Sequence, residues 1–311
     1  MIGIYRGKFK QRSYFPCKQL GDIICDLENK GGPMKKVILA AALCSVAVAF
    51  GGSANADSTS DWLSGLTSFE AWWSILTKGA AAEVLPVGPT SGDNAEFLSG
   101  STNALILGPT GVPTPDAAYI SDAENLYLDP NGYDGTTATT IALTTPETYD
   151  FNTSVPQGET DLVNAVEADY NAGDMACHAS GVCSDPLTIF TYSQSSAIAD
   201  LAEKQLASDG IPTDALRFVD LGDDPLGVPD NLYPTEVYNI YGDFWALPGT
   251  SGTSLQDVEL GMLLHDAYLG LTSAEIDSAT STVDGLTTFY TIPELTMGQL
   301  IEALITAAVA N

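Results

Sequence analysis

The 311-residue chain holds 40 Asp plus Glu against 11 Lys plus Arg, a formal net charge of −29. Eight of the basic residues fall within residues 1–36, so the rest of the chain, with only Lys78, Lys204 and Arg217, is strongly acidic. Such a surface repels phosphate backbones and anionic lipid, which excludes nucleic acid and an anionic membrane face as partners.

The break in composition coincides with "MKKVILAAALCSVAVAFGGSANA", Met34 to Ala56. Lys35 and Lys36 form a positive n-region, Val37 to Phe50 an apolar h-region, and Ala54-Asn55-Ala56 a small-x-small cleavage site. The apolar run is shorter than the roughly 20 residues a membrane span needs. Residues 34–56 are therefore read as a signal peptide cleaved near Ala56, and residues 1–33 as an over-extended start with Met34 the initiator. The expected product is secreted or held in the cell envelope. Beyond the cleavage site only Cys177 and Cys183 remain. An oxidising compartment favours pairing them, and the intervening Ala179, Ser180 and Gly181 turn tightly enough to bring their Cβ atoms together. A metal site of Cys177, His178 and Cys183 lacks a fourth ligand and is set aside.

Residues 57–100 open with "DWLSGLTSFEAWWSIL" (61–76), which places Trp62, Leu66, Phe69 and Trp73 on one helical face, and continue as a linker rich in Gly, Pro and Ser. The main domain is expected over 101–311. "NALILG" (103–108) is a short apolar run of buried parallel-strand type. Helix-like "DLVNAVEADYNAG", strand-like "PLTIFTY", helix-like "SSAIADLAEKQLASDG" and the strands "ALRFVDLG" and "EVYNIYGD" follow in turn, with Gly210 just past the second helix. This alternation predicts an α/β fold with a mainly parallel central sheet flanked by helices. "DPNGYDG" (129–135) has a misplaced glycine for a calcium loop and no closing Glu, and reads as a turn. No metal or organic cofactor is implied.

Ligands of open parallel sheets collect at the C-terminal ends of the strands. Ser193 stands there in "FTYSQSS", at a strand-to-helix junction that is either a nucleophile elbow with both glycines replaced or an ordinary turn. Asp243 ends a later strand and His265 follows it, so the order is the Ser…Asp…His of α/β-hydrolases. The chemistry needs all three, because serine is a weak nucleophile until an imidazole takes its proton and a carboxylate fixes that imidazole's tautomer. Of the two histidines, His178 falls at the wrong end of its strand, which leaves His265 as base. Asp223 and Asp224 rival Asp243 for the acid. The oxyanion donors expected are the Gln194 backbone N–H and, from "GPTGVPTP" (108–115), the backbone or hydroxyl of Thr110, since Pro109 has no N–H. Phe244 and Trp245, with Leu247, Leu263 and Leu264, fall between acid and base, where they line an acyl pocket or form a small lid, with Leu263 and Leu264 alternatively core.

"ALILGPTGVPTPDAAYI", "DFNTSVPQGETDLVNAV", "YSQS", "YPTEVYNIYGDF" and "TTFYTIPELTMGQL" together resemble the PE-PPE domain of mycolate-bearing actinobacteria, over about residues 101–300. The resemblance implies a cutinase-like α/β-hydrolase fold acting on carboxylic esters, with Ser193 as nucleophile, His265 as base and the acid at or beside Asp243. Two positions depart from that pattern. Thr191 stands where the family's elbow carries glycine, and Tyr241-Gly242-Asp243 reverses the last two residues of its Tyr-Asp-Gly. A secretory signal also stands where the family's helical PE or PPE module would be. The expected function is a secreted serine esterase or lipase. The alternatives are an acyltransferase on envelope lipids or sugars using the same residues, and an inactive wall-associated binding protein.

Overall fold

A computed structural model describes residues 96–310 apart from 137–138, 179–180, 226, 230, 248–249 and 251–254. The expected signal peptide, the segment before it, the amphipathic helix at 61–76 and most of the linker lie outside the described residues.

Seven strands form one sheet in the order β2-β1-β3-β4-β5-β7-β6. β1 is Ala104–Ile106, β2 Thr140–Ala142, β3 Leu187–Tyr192, β4 Leu216–Leu221, β5 Thr235–Ile240, β6 Thr280–Asp284 and β7 Thr287–Ile292. Every pairing is parallel except the β6–β7 hairpin at one edge. β3 and β5 are buried at every position. Both faces of such a parallel strand are covered, so their polar residues, Thr188 and Thr191 on β3 and Thr235, Glu236 and Asn239 on β5, are buried as well.

Alternate residues feed two separate cores. Ile106, Phe190, Val219 and Ile240 pack with Tyr119, Tyr127, Tyr268 and Leu300 on one face. Their neighbours Leu105, Ile189 and Phe218 pack on the other with Val155, Leu162, Ile198 and Leu206. The period-two side-chain alternation of a strand makes this division. Truncating a fully buried aromatic such as Phe190 to Ala would cost about 3–5 kcal/mol.

The helices are α1 (Ala117–Ala123), α2 (Phe151–Ala172), α3 (Gln194–Asp209), α4 (Leu255–His265), α5 (Ser273–Ile276) and α6 (Met297–Ala310). α2 begins ten residues before the helix expected from Asp161, running through Pro156 and Gly158, two residues that read as breakers. Gly158 has a packing reason, since a Cβ there would lie 2.3 Å from Ile198 Cδ1 on α3. α3 ends as expected, with Gly210 in the left-handed region at φ 88°. Cys177 and Cys183 are joined by a disulfide ahead of β3. Among the described residues no helix is long and apolar enough to cross a membrane, and no group of three His, Cys, Asp or Glu could hold a metal ion.

Candidate active site

β3 ends at Tyr192 and α3 begins at Gln194, so Ser193 alone makes the junction, with φ 62° and ψ −117°. A non-glycine residue held in so sparsely populated a region is strained, and this is the backbone geometry a nucleophile elbow requires. Its neighbours lock it. Ser193 N–H donates to Leu221 O (2.9 Å), Tyr192 N–H donates to Ser195 Oγ (2.8 Å), and Ser195 Oγ donates back to Tyr192 O (3.0 Å). Ser195, in place of the second glycine, thus closes the turn with its own hydroxyl.

Thr191, in place of the first glycine, is fully buried and pairs across the sheet with Asp220. Its Oγ1 lies 2.5 Å from Asp220 Oδ1 and 2.9 Å from Ser196 Oγ. The β-branched side chain therefore fits beneath the start of α3 because its hydroxyl is satisfied there, its one proton going to Asp220 Oδ1 with Ser196 Oγ within hydrogen-bond distance. Burial pushes the Asp220 carboxyl up to about 7, against the lowering effect of the Thr191 hydroxyl. Asp200 and Glu203 on α3 and Asp223 after β4 face the same region. Their carboxyls are all raised, by burial first and then by one another's charge.

His265 closes α4 and lies between the other two residues. Its Nε2 is 2.8 Å from Ser193 Oγ and its Nδ1 is 2.8 Å from Asp243 Oδ2. Asp243 is fully buried and Ser193 half-buried, so access narrows from Ser193 to Asp243. Asp243 Oδ1 accepts from the Trp245 and Ala246 N–H groups (2.8 and 3.2 Å), and Oδ2 also accepts from Tyr268 Oη (2.7 Å). Burial pulls the imidazole's pKa down, but the charge and hydrogen bond of Asp243 and the charge of Asp266 outweigh it, leaving a net rise above 6.5. Gly222 makes room for the ring: a Cβ there would lie 2.9 Å from His265 Cε1.

The rival acids are placed elsewhere. Asp223 is anchored by Asn239, which accepts its N–H and donates to its carbonyl, and its carboxyl belongs to the group beneath α3 together with neighbouring Asp224. His178, exposed within the disulfide loop, lies before β3, at the opposite end of that strand from Ser193.

Gln194 and Thr110 meet through their side chains. Gln194 Nε2 donates to Thr110 Oγ1 and to Thr148 O, both at 2.9 Å, while Gln194 Oε1 accepts from Ser154 Oγ at 2.5 Å. The loop bearing Thr110 is itself tied by Gly111 N–H to Glu147 O (2.7 Å). Gly108 lets it turn, since a Cβ there would sit 2.2 Å from Val112 O. Phe244 and Trp245, half-buried beside Asp243, form an edge-to-face pair with ring centroids 5.0 Å apart. Leu264 is core, and Leu263 packs partly against the same core. Tyr268 is the residue the sequence reading missed. It lies three positions after His265, and nothing in a local pattern marks its hydroxyl as a partner of Asp243.

The PE-PPE domain family model matches residues 130–233, a stretch that includes Ser193 and ends before Asp243 and His265. The chain is 28% identical over 299 residues to "Uncharacterized PPE family protein PPE28" of Mycobacterium tuberculosis, covering 82% of this chain and 44% of that protein. It is 28% identical over 282 residues to "Esterase PE16" of the same organism, covering 78% of this chain and 51% of that protein. The chain therefore spans about half the length of the curated relatives it matches. Among solved structures it is similar to a cutinase-like protein from Cryptococcus sp., at TM-score 0.37 and 15% identity over 54% of this chain and 93% of that one. The chain is thus similar to the PE-PPE domain family over residues 130–233, and its mainly parallel sheet flanked by helices, with a serine in a strained strand-to-helix turn, is an α/β-hydrolase fold.

Proposed function

We propose that this chain is a serine hydrolase of carboxylic esters, with Ser193 as nucleophile, His265 as general base and acid, and Asp243 as the carboxylate that orients the imidazole. The observation that carries the reading is the unbroken chain of contacts Ser193–His265–Asp243, 2.8 Å at each link, at the C-terminal edge of a parallel sheet. His265 Nε2 takes the hydroxyl proton as Ser193 Oγ attacks the ester carbonyl, and the charge that develops on the carbonyl oxygen faces the Gln194 N–H and Thr110. The imidazolium then gives its proton to the departing alkoxide, leaving an acyl group on Ser193. Water, activated by the same imidazole, releases the acid and restores the enzyme. A lipid or sugar hydroxyl in place of that water would make the second step a transfer with no change of residues. Phe244 and Trp245 form an apolar wall beside the acid for the acyl chain. Export through the segment at 34–56 accords with the acidic body and the disulfide.

Release of p-nitrophenol from esters of increasing acyl length tests the reading. Wild type is expected to turn them over, and Ser193→Ala to fall to the uncatalysed rate. Equal turnover by the two proteins would refute the assignment, and parallel assays with an acceptor alcohol separate hydrolysis from transfer.

A further inference from the structure

Asp243 Oδ2 carries two donors, His265 Nδ1 at 2.8 Å and Tyr268 Oη at 2.7 Å. The direction of the second bond is fixed by a third contact: Tyr268 Oη accepts the Ile240 N–H at 2.9 Å. A phenol that is already an acceptor from the backbone has its single proton free for the carboxylate. Burial, followed by the charge of Asp243, raises the Tyr268 pKa well above its ordinary value, so the proton stays on the phenol throughout the range in which an imidazole titrates. The ring is fully buried and meets Tyr192 edge-to-face at 5.5 Å, while its backbone carbonyl accepts from Tyr127 Oη at 2.8 Å. It has no freedom to swing away.

We propose that Tyr268 is a positioning residue of this site, one that competes with His265 for the Asp243 oxygen they share and so restrains the basicity of the imidazole while bracing the acid against the end of β5. The proposal rests on the reading of Ser193, His265 and Asp243 given above. Two donors on one carboxylate oxygen divide its charge between them, so removing the phenol concentrates that charge on the imidazole. The ionisable groups facing His265 are Asp243 after β5, Asp266 beside it in sequence, Tyr192 at the end of β3, whose hydroxyl donates to the His265 carbonyl, and Tyr268. Tyr149 stands beside Asp266 in turn. Of these hydroxyls, it is Tyr268 that donates to the carboxylate gripping the ring.

The chain holds only two histidines, so a His178→Gln background leaves the signals of His265 alone for an NMR titration that needs no catalysis. In that background Tyr268→Phe, which keeps the ring, is expected to raise the His265 pKa by about half a unit or more. The acid limb of kcat/KM should move up equally with KM little changed. An unmoved His265 titration overturns the proposal. Should Tyr268→Phe fail to fold, the parent protein decides: an NOE between the His265 Nδ1 proton and a slowly exchanging Tyr268 hydroxyl proton is expected, and its absence is contrary. Because the titration is independent of turnover, an inactive wild type would sink the hydrolase reading and leave the Tyr268 result standing.

Discussion

Gln194 Nε2 donates to Thr110 Oγ1 over 2.9 Å, so the residue after the elbow serine grips the loop that follows β1. The elbow and that loop lie on neighbouring strands, β3 and β1, and the bond fixes the distance between their two candidate oxyanion donors. A hydroxyl that accepts from an amide turns its own proton elsewhere, which leaves the Thr110 O–H free to face a developing oxyanion. Thr110→Val is expected to lower kcat by about 100-fold, with a smaller effect on KM. Gln194→Ala keeps its backbone N–H and should lose less. Steady-state kinetics on one soluble ester measures both.

Asp243 accepts four donors, one of them His265 Nδ1, while Asp223 is held by Asn239 within the acid group beneath α3. Asp243→Asn should cost about 10⁴-fold in kcat, because an amide can present its N–H side and hold the wrong tautomer. Asp223→Asn should leave turnover close to wild type. The reverse ranking would move the acid to the other strand.

Asp266 adds negative charge beside the imidazole, and its own carboxyl is raised to about 6, by burial first, with the His265 charge opposing. It still loses its proton before the imidazole, whose pKa is raised above 6.5, so it bears negative charge over most of the His265 titration. The imidazolium is favoured by that charge, so the acid limb of kcat/KM should lie above pH 6.5, and Asp266→Asn should move it down. A pH–rate profile of the two proteins reads the shift directly.

Glu147 is buried, with its Oε1 accepting from Thr145 Oγ1 (2.8 Å), and burial raises its carboxyl from 4.5 to about 8. The folded protein holds this proton where the unfolded chain has lost it. The associated stability is thus complete below about pH 4.5 and is lost as pH rises towards 8. Asp220, raised to about 7, acts with the same sign. The melting temperature should fall between pH 5 and pH 8, and Glu147→Gln should flatten part of that fall by keeping a neutral acceptor for Thr145. Thermal melts across this range check it.

Much of this arrangement is legible in the sequence because of how parallel sheets are built. β3, β4 and β5 stand out as short segments rich in β-branched and aromatic residues, and the strand-end rule then selects Ser193 and the residues after β5. Gly210 marks the end of α3 for a local steric reason. Other features depend on contacts between distant segments. Pro156 and Gly158 read as breakers until the close approach of α2 to α3 is known. Thr191 looks like an obstacle until its hydroxyl is seen to sit between Asp220 and Ser196. Tyr268 acquires its meaning only when the turn after α4 packs against the end of β5. The β6–β7 hairpin turns on Gly285-Leu286, where Gly285 takes φ 59°, and a glycine between two β-rich runs is a local turn signal.

A fluorophosphonate probe tests the central claim most directly, because it reacts with a serine only when a neighbouring base has activated the hydroxyl. Wild type is expected to label at a single site and lose activity in step, while Ser193→Ala and His265→Ala remain unlabelled. Labelling that persists in Ser193→Ala, or a folded wild type that takes no label, would contradict the assignment of Ser193 as nucleophile.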